Sequence, residues 1–268
     1  MQSEFIILFI GDIVGKPGRR ILSERLKQLK EKLSIDFVIA NGENAAGGFG
    51  LTVKSAKKIF RYGVDVITSG NHIIDRKEEI DSVLQLDNVL RPANYIGVPG
   101  KGYTIVKKNS VKIGVVNAEG KIFMPEEPKK ENPYNVVSKI ITQIKRETPI
   151  IIVDFHAEAT AEKIAMGWVL DGEVSAVVGT HTHVQTADEK ILPKKTLYIT
   201  DVGMTGPFKS VIGMTINSVV NKMKGQNQER LALAKEDVRI NAVLLGIDKK
   251  SGKGKFIKRL EISEDSEG

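Results

Sequence analysis

A chain of 268 residues, 41% hydrophobic and 27% charged, can bury a sizeable core, which excludes disorder as its default state. It contains no cysteine, so disulfides, zinc–thiolate and iron–sulfur centres and thiol nucleophiles are excluded, and a reducing cytoplasm fits. Its formal charge of +7 comes from lysines scattered along helices and the C-terminal part without aromatic interleaving, which reads as a solvated surface and gives no indication of a nucleic-acid partner.

The apolar run 5–10 is too short to cross a membrane and lacks the flanks of a signal peptide, so it is read as the first buried strand. A helix is predicted over 20–33, a strand over 36–40, a helix over 53–62 with Thr52 as its N-cap, and a strand over 64–68. Strands 103–107 and 111–117 flank Lys108-Asn109-Ser110 as a hairpin. A strand over 150–154, a short helix over 159–166 and strands over 174–178 and 196–200 follow. The segment 203–237 holds one or two helices without an evident role. Strands 238–248 and 255–262 form a second hairpin, and 264–268 reads as a disordered tail. Nearly all-apolar strands alternating with helices predict an α/β layered fold, and the hairpins make its sheets mixed. No repeat or linker divides the chain, so 1–268 is read as a single domain, and no segment reaches transmembrane length.

The polar residues follow the carboxyl ends of successive strands: Gly11-Asp12, Asn41-Gly42-Glu43-Asn44, Ser69-Gly70-Asn71-His72, His156, Thr180-His181-Thr182-His183 and Asp201. Ligands of open α/β sheets bind at that edge. The chain has 4 histidines and all of them fall there. One such histidine alone is more often structural, but the whole set beside Asp12 and Glu43 points to a metal site. His181 and His183 are expected on an extended segment, facing one side. Asn71 and His72 diverge, so one can bind metal while the other faces substrate. A nitrogen–oxygen donor set without thiolate suits iron, manganese or zinc. Six or seven candidate ligands suit two ions sharing a carboxylate, which at a separation of about 3.5–4 Å clamp the oxygens of an in-line phosphoryl displacement. Asp154 and Asp201 are read either as acceptors for ligand imidazoles or as strand ends. The run Gly47-Gly48-Phe49-Gly50 reads as a tight turn, Arg19, Arg76 and Arg91 as surface residues, and Trp168 as packing.

In their order, Gly11-Asp12, Asn41-Gly42-Glu43-Asn44, Gly70-Asn71-His72, His156 and Gly179-Thr180-His181-Thr182-His183 resemble the calcineurin-like metallophosphoesterases. Two departures mark a branch: no histidine follows Asp12 in the first motif, and Glu43 stands where the bridging aspartate is usual. With these, GDIVGKPGR, SGNHIIDR, RPANY, DFHAEATAEK and TDVGMTGP are similar to the YmdB-like bacterial phosphodiesterases. The resemblance implies a four-layer α/β/β/α sandwich and a di-iron or di-manganese centre. It also implies hydrolysis of phosphodiesters, notably 2′,3′-cyclic nucleotides, by a hydroxide shared between the metals. It implies Asp12, Glu43, Asn44 and His183 on one ion, Glu43, Asn71, His156 and His181 on the other, and His72 as proton donor. A phosphomonoesterase or nuclease would use the same residues, and a nucleotide-binding regulatory protein without turnover is the alternative of another class. A small-molecule phosphodiester is the expected partner, no membrane partner is expected, and a homo-oligomer is compatible with the sequence.

Overall fold

The computed structural model describes residues 4–226 and 230–264. Strands β1 (Glu4–Ile10), β2 (Asp12–Ile13), β3 (Phe37–Asn41) and β4 (Val66–Thr68) share one sheet with β11 (Met204–Pro207), β12 (Val238–Asp248) and β13 (Gly254–Ser263). Its order is β2-β11-β12-β1-β3-β4, with β13 on the other edge of β12. The second sheet has the order β5-β6-β7-β8-β10-β9, from β5 (Tyr103–Lys108), β6 (Val111–Glu119), β7 (Ile151–His156), β8 (Ala176–Thr180), β9 (Lys190–Ile191) and β10 (Leu197–Ile199). Both sheets are mixed: β1 runs parallel to β3 and antiparallel to β12, while β6, β7 and β8 are parallel and β5 antiparallel. Each predicted hairpin forms, as β5–β6 and β12–β13.

Alternation along the strands builds the layers. In β1, Phe5, Ile7 and Phe9 meet Ile113, Val115, Ile152 and Val178 of the opposite sheet in one fully buried layer. Leu8 and Ile10 point the other way, onto α1 (Gly15–Lys32) and α2 (Val53–Tyr62). In β7, Ile152 faces the inter-sheet layer, whereas Ile151, Val153 and Phe155 pack under α4 (Pro133–Ile144) and α5 (Thr160–Val169). The result is the predicted α/β/β/α order, in which each fully buried Leu or Ile side chain contributes about 1.5–3 kcal/mol.

Helix ends follow local chemistry. Thr52 caps α2 in a reciprocal capping box with Ser55, and Gly63 ends it in the left-handed conformation. Asn132 caps α4 by accepting the N–H groups of Tyr134 and Asn135, with Pro133 at its first turn. The helix predicted over 20–33 begins earlier, at Gly15. Among its described residues, the segment 203–237 holds one helix, α6 (Ile216–Met223), and strand β11. A short helix, α3 (Ile80–Leu84), adds to the outer layer. Glu264, expected to begin a disordered tail, bonds the backbone of Val238; the rest of that expectation, 265–268, lies outside the described residues. Trp168 does not pack inside: it is 54% exposed on α5.

Candidate metal centre

The carboxyl ends of β1, β3 and β4 in one sheet and of β7 and β8 in the other converge on one cluster. His156 Nε2 lies 3.1 Å from Glu43 Oε1, 3.1 Å from Asn71 Oδ1 and 3.0 Å from His181 Nδ1. Asn44 joins from the other side, its amide 3.1 Å from Glu43 Oε1 and 3.2 Å from His183 Nε2. Asp12 Oδ2 accepts the His181 N–H at 3.2 Å, and its Oδ1 lies 4.0 Å from His156 Nδ1. Glu43 Oε2 accepts the backbone N–H of His72 at 3.0 Å. All eight predicted residues therefore meet, with Glu43 Oε1 common to both groups.

The three imidazoles of the cluster share one arrangement. The Thr180 hydroxyl donates to Asp154 Oδ1 at 2.7 Å, so at 2.9 Å it accepts from His156 Nδ1–H. His181 Nε2 lies 3.1 Å from Glu158 Oε2, and His183 Nδ1 donates to the Ile212 carbonyl at 2.9 Å. In each ring the outer nitrogen is engaged and the inner one points into the cluster, as second partners orient metal-binding histidines.

Whether these residues fit cations can be tested on their own polar atoms. Of the three buried side-chain polar atoms without a hydrogen-bond partner among the described residues, two are Asp12 Oδ1 and Asn44 Oδ1. Burial disfavours the charged ring of His156, but Glu43 and Asp12 outweigh it and push its pKa up to about 9. The Nε2–H so retained faces three acceptors at once and cannot satisfy them all. Burial also raises the Glu43 carboxyl, yet His156 beside it holds it down to about 2. Burial and the His156 charge lower His181 to about 3, burial lowers His183, and burial lifts Asp12 well above the usual carboxylate range. Ionised Glu43 and neutral His181 and His183 are the ligand forms. The ligand atoms of Glu43, His156 and His181 lie within 4.8 Å of one another. The donor set fits a metal centre.

Local backbone differs from the expectation in one respect. His181 and His183 do not sit on an extended strand; their φ values are 106° and 64°. They face the cluster because the chain leaves β8 through left-handed residues, at a cost of about 1–3 kcal/mol each. Asp201 holds this turn, accepting the N–H groups of Thr182 at 3.0 Å and Gly203 at 2.8 Å. So Asp201 shapes the loop of His181 and His183, and Asp154 reaches His156 through Thr180 and the Asn41 amide; neither accepts directly from an imidazole. Lys163 of α5, 1% exposed, pairs with the fully buried Asp201 at 2.7 Å. Lys163→Met leaves that carboxylate buried without a cation, so urea unfolding should show a loss of about 3–5 kcal/mol; a loss below about 1 kcal/mol would show the pair to be dispensable.

Around the cluster, Gly47, Gly48 and Gly50 take positive φ in the predicted tight turn. Arg19 and Arg76 are not free on the surface: Arg19 Nε donates to the Ala45 carbonyl and Arg76 to those of Ala46 and Phe49. Arg91 likewise ties down Pro92, Ala93 and Pro99. Two carboxylates that the sequence reading missed are Glu158, on His181, and Asp75, whose Oδ2 lies 2.8 Å from His72 Nδ1. Glu43, Asn44, His72, His181 and His183 open into a cavity of about 380 Å³.

The four-layer sandwich is a metallophosphoesterase-like fold, with nitrogen and oxygen donors clustered at its strand ends. The chain belongs to the YmdB-like protein family, whose model matches residues 8–260. It is 46% identical over 260 residues to the 2′,3′-cyclic-nucleotide 2′-phosphodiesterase of Bacillus subtilis (strain 168), covering 97% of each. Among solved structures it resembles a phosphatase from Mycoplasma pneumoniae, with 36% identity, a TM-score of 0.92 and coverage of 99% of this chain and 95% of that one. A hypothetical protein from Thermus thermophilus follows at 37% identity and a TM-score of 0.89, over 97% of this chain and all 100% of that one. Among the described residues, no helix is long and apolar enough to cross a membrane.

Proposed function

We propose that this chain is a dinuclear metal-dependent phosphodiesterase that hydrolyses 2′,3′-cyclic nucleotides. The observation that carries the reading is the common arrangement of His156, His181 and His183, each with its outer nitrogen engaged and its inner nitrogen aimed at Glu43 or Asn44 or at each other. In this reading one ion is held by Asp12, Glu43, Asn44 and His183, and the second by Glu43, Asn71, His156 and His181. Iron or manganese suits the set best, with zinc as a further occupant. When bound, two such ions supply positive charge to the phosphoryl oxygens and acidify water.

The remaining work belongs to the side chains. Water adds to phosphorus and the bond to the ribose 2′ oxygen breaks, the bond named for the Bacillus subtilis relative. That oxygen leaves as an alcohol only if it receives a proton. His72 is not needed as a ligand, opens into the cavity and has Nδ1 held by Asp75, so Nε2 is its free nitrogen. We assign it the donation. Asp75→Asn then weakens the partner that orients the ring, and kcat should fall roughly 10-fold with metal content unchanged; an unchanged kcat would remove Asp75 from the account. The absence of cysteine supports a cytoplasmic setting.

The test is metal analysis of the freshly purified protein together with hydrolysis of 2′,3′-cyclic AMP, 3′,5′-cyclic AMP, a nitrophenyl diester, a phosphomonoester and single-stranded RNA. About two transition-metal ions per chain and preference for the 2′,3′-cyclic ester are expected. Protein that retains no transition metal, or that prefers monoesters, would overturn the reading.

A further inference from the structure

The cavity is lined by two unlike sets of residues. One is the ligand cluster with His72. The other is apolar, formed by Phe49, Val211, Ile212, Val219, Met223 and Leu231. Val219 and Met223 lie one turn apart on the same face of α6. No residue of α6 is buried in the fold, and Met223 is 81% exposed. The apolar stripe of α6 therefore does little for the core. Apolar surface left in water is unfavourable, and here it is relieved when a ligand covers it.

This wall is fixed relative to the cluster. His183 Nδ1 donates to the Ile212 carbonyl at 2.9 Å, Met214 forms β-bridges with Val211 and Leu233, and Thr215 N–H donates to the Ala232 carbonyl at 2.8 Å. A cavity of about 380 Å³ is of small-molecule size. A cyclic nucleotide has the matching asymmetry: an anionic phosphate at one end and, at the other, a flat uncharged base whose ring faces can lie on apolar side chains while its polar edges stay in water.

We propose that Phe49 and the wall of Val211, Ile212, Val219, Met223 and Leu231 form the nucleobase subsite of this enzyme, and that it binds the base by contact rather than by hydrogen bonds. The inference rests on the phosphodiesterase reading above. None of the six side chains carries an N–H, O–H or carboxamide group to read a base edge. A site of that kind discriminates weakly, so the four 2′,3′-cyclic nucleotides should differ in kcat/KM by less than about 100-fold.

The test compares the parent protein with Val219→Ala/Met223→Ala, two positions whose truncation leaves the core intact. The substrates are 2′,3′-cyclic AMP and glycerol 1,2-cyclic phosphate, which keeps the five-membered cyclic ester and lacks the base. The ratio of their kcat/KM values should fall roughly 10-fold in the variant. Calorimetry with adenosine 3′-phosphate and glycerol 2-phosphate gives a readout independent of turnover, and the ratio of their affinities should fall in parallel. Unchanged ratios, or a discrimination of about 10⁴ among the four bases, would overturn the subsite. A parent protein that cleaves neither cyclic ester would overturn the phosphodiesterase reading instead, and the calorimetric ratio would then decide the subsite alone.

Discussion

His72→Ala is expected to lower kcat on 2′,3′-cyclic AMP by roughly 10²–10⁴ while the protein keeps the metal content of its parent. The reason is positional. The His72 backbone N–H, which any residue supplies, donates to Glu43 Oε2, so the substitution leaves that contact in place. Its side chain is 29% exposed, meets Phe49 edge-on at 5.1 Å and is held by Asp75. Removing the ring takes a proton source from the cavity without taking a donor from the cluster. A leaving-group comparison sharpens the test. A nitrophenolate departs without protonation, so bis(4-nitrophenyl) phosphate should suffer much less than the ribose ester. Equal losses on both substrates, or loss of metal with the ring, would show that His72 serves as a ligand or a scaffold.

Gly70→Ala should abolish the same activity by a different route. A methyl group on Gly70 would lie 2.1 Å from both Nε2 and Cδ2 of His156, well inside contact distance. The φ of Gly70 is −154°, so it is not the left-handed region but the close approach of His156 that calls for a glycine here. The ring cannot step aside cheaply, because Thr180 and Asp154 anchor its far nitrogen in a fully buried network. Either His156 turns out of the cluster or the Asn71–Ile74 turn moves with Asn71 and His72 on it. Both disperse the donors around His156 Nε2. The variant should stay folded by circular dichroism at a cost of about 1–3 kcal/mol, bind less metal, and lose at least about 10² in turnover. Full metal content with near-normal turnover would show that the close packing of this glycine is incidental.

Much of this was legible in the chain because of burial. Strands covered on both faces must be continuous apolar runs, so 5–10, 36–40 and 150–154 stood out, and the first polar residue after each marked the sheet's rim. The ligand residues were found by position rather than by type. What escaped has identifiable causes. Helix α4 carried its signals, Asn132 at the cap and Pro133 in the first turn, but they were overlooked beside the irregular stretch before them. Strand β11 reads Met204-Thr205-Gly206-Pro207, whose glycine and proline argue against a strand until its partners are known. The left-handed His181 and His183 leave no trace in composition, since side chains of this kind seldom adopt that conformation. Glu158 and Asp75 belong to the quoted motifs, yet nothing local distinguishes a carboxylate on an imidazole from one in solvent. Arg19, Arg76 and Arg91 looked like surface charge because the carbonyls they grip come from loops remote in sequence or irregular in shape.

The placement of β12 has a consequence for how the centre comes into being. Asp12 is held by β11, β11 by β12, and β12 also bonds the length of β1, with Gly11 N–H donating to the Asn241 carbonyl at 3.0 Å. Every proposed ligand precedes residue 184, yet the frame that aims the first of them is completed some sixty residues later. A nascent polypeptide that has emerged only as far as β8 owns every proposed donor atom but lacks β11 and β12, which hold Asp12 in place. In the proposed reading, the part of the centre around Asp12 is completed only once synthesis has passed β12, so a truncated product would hold metal less well than the full chain.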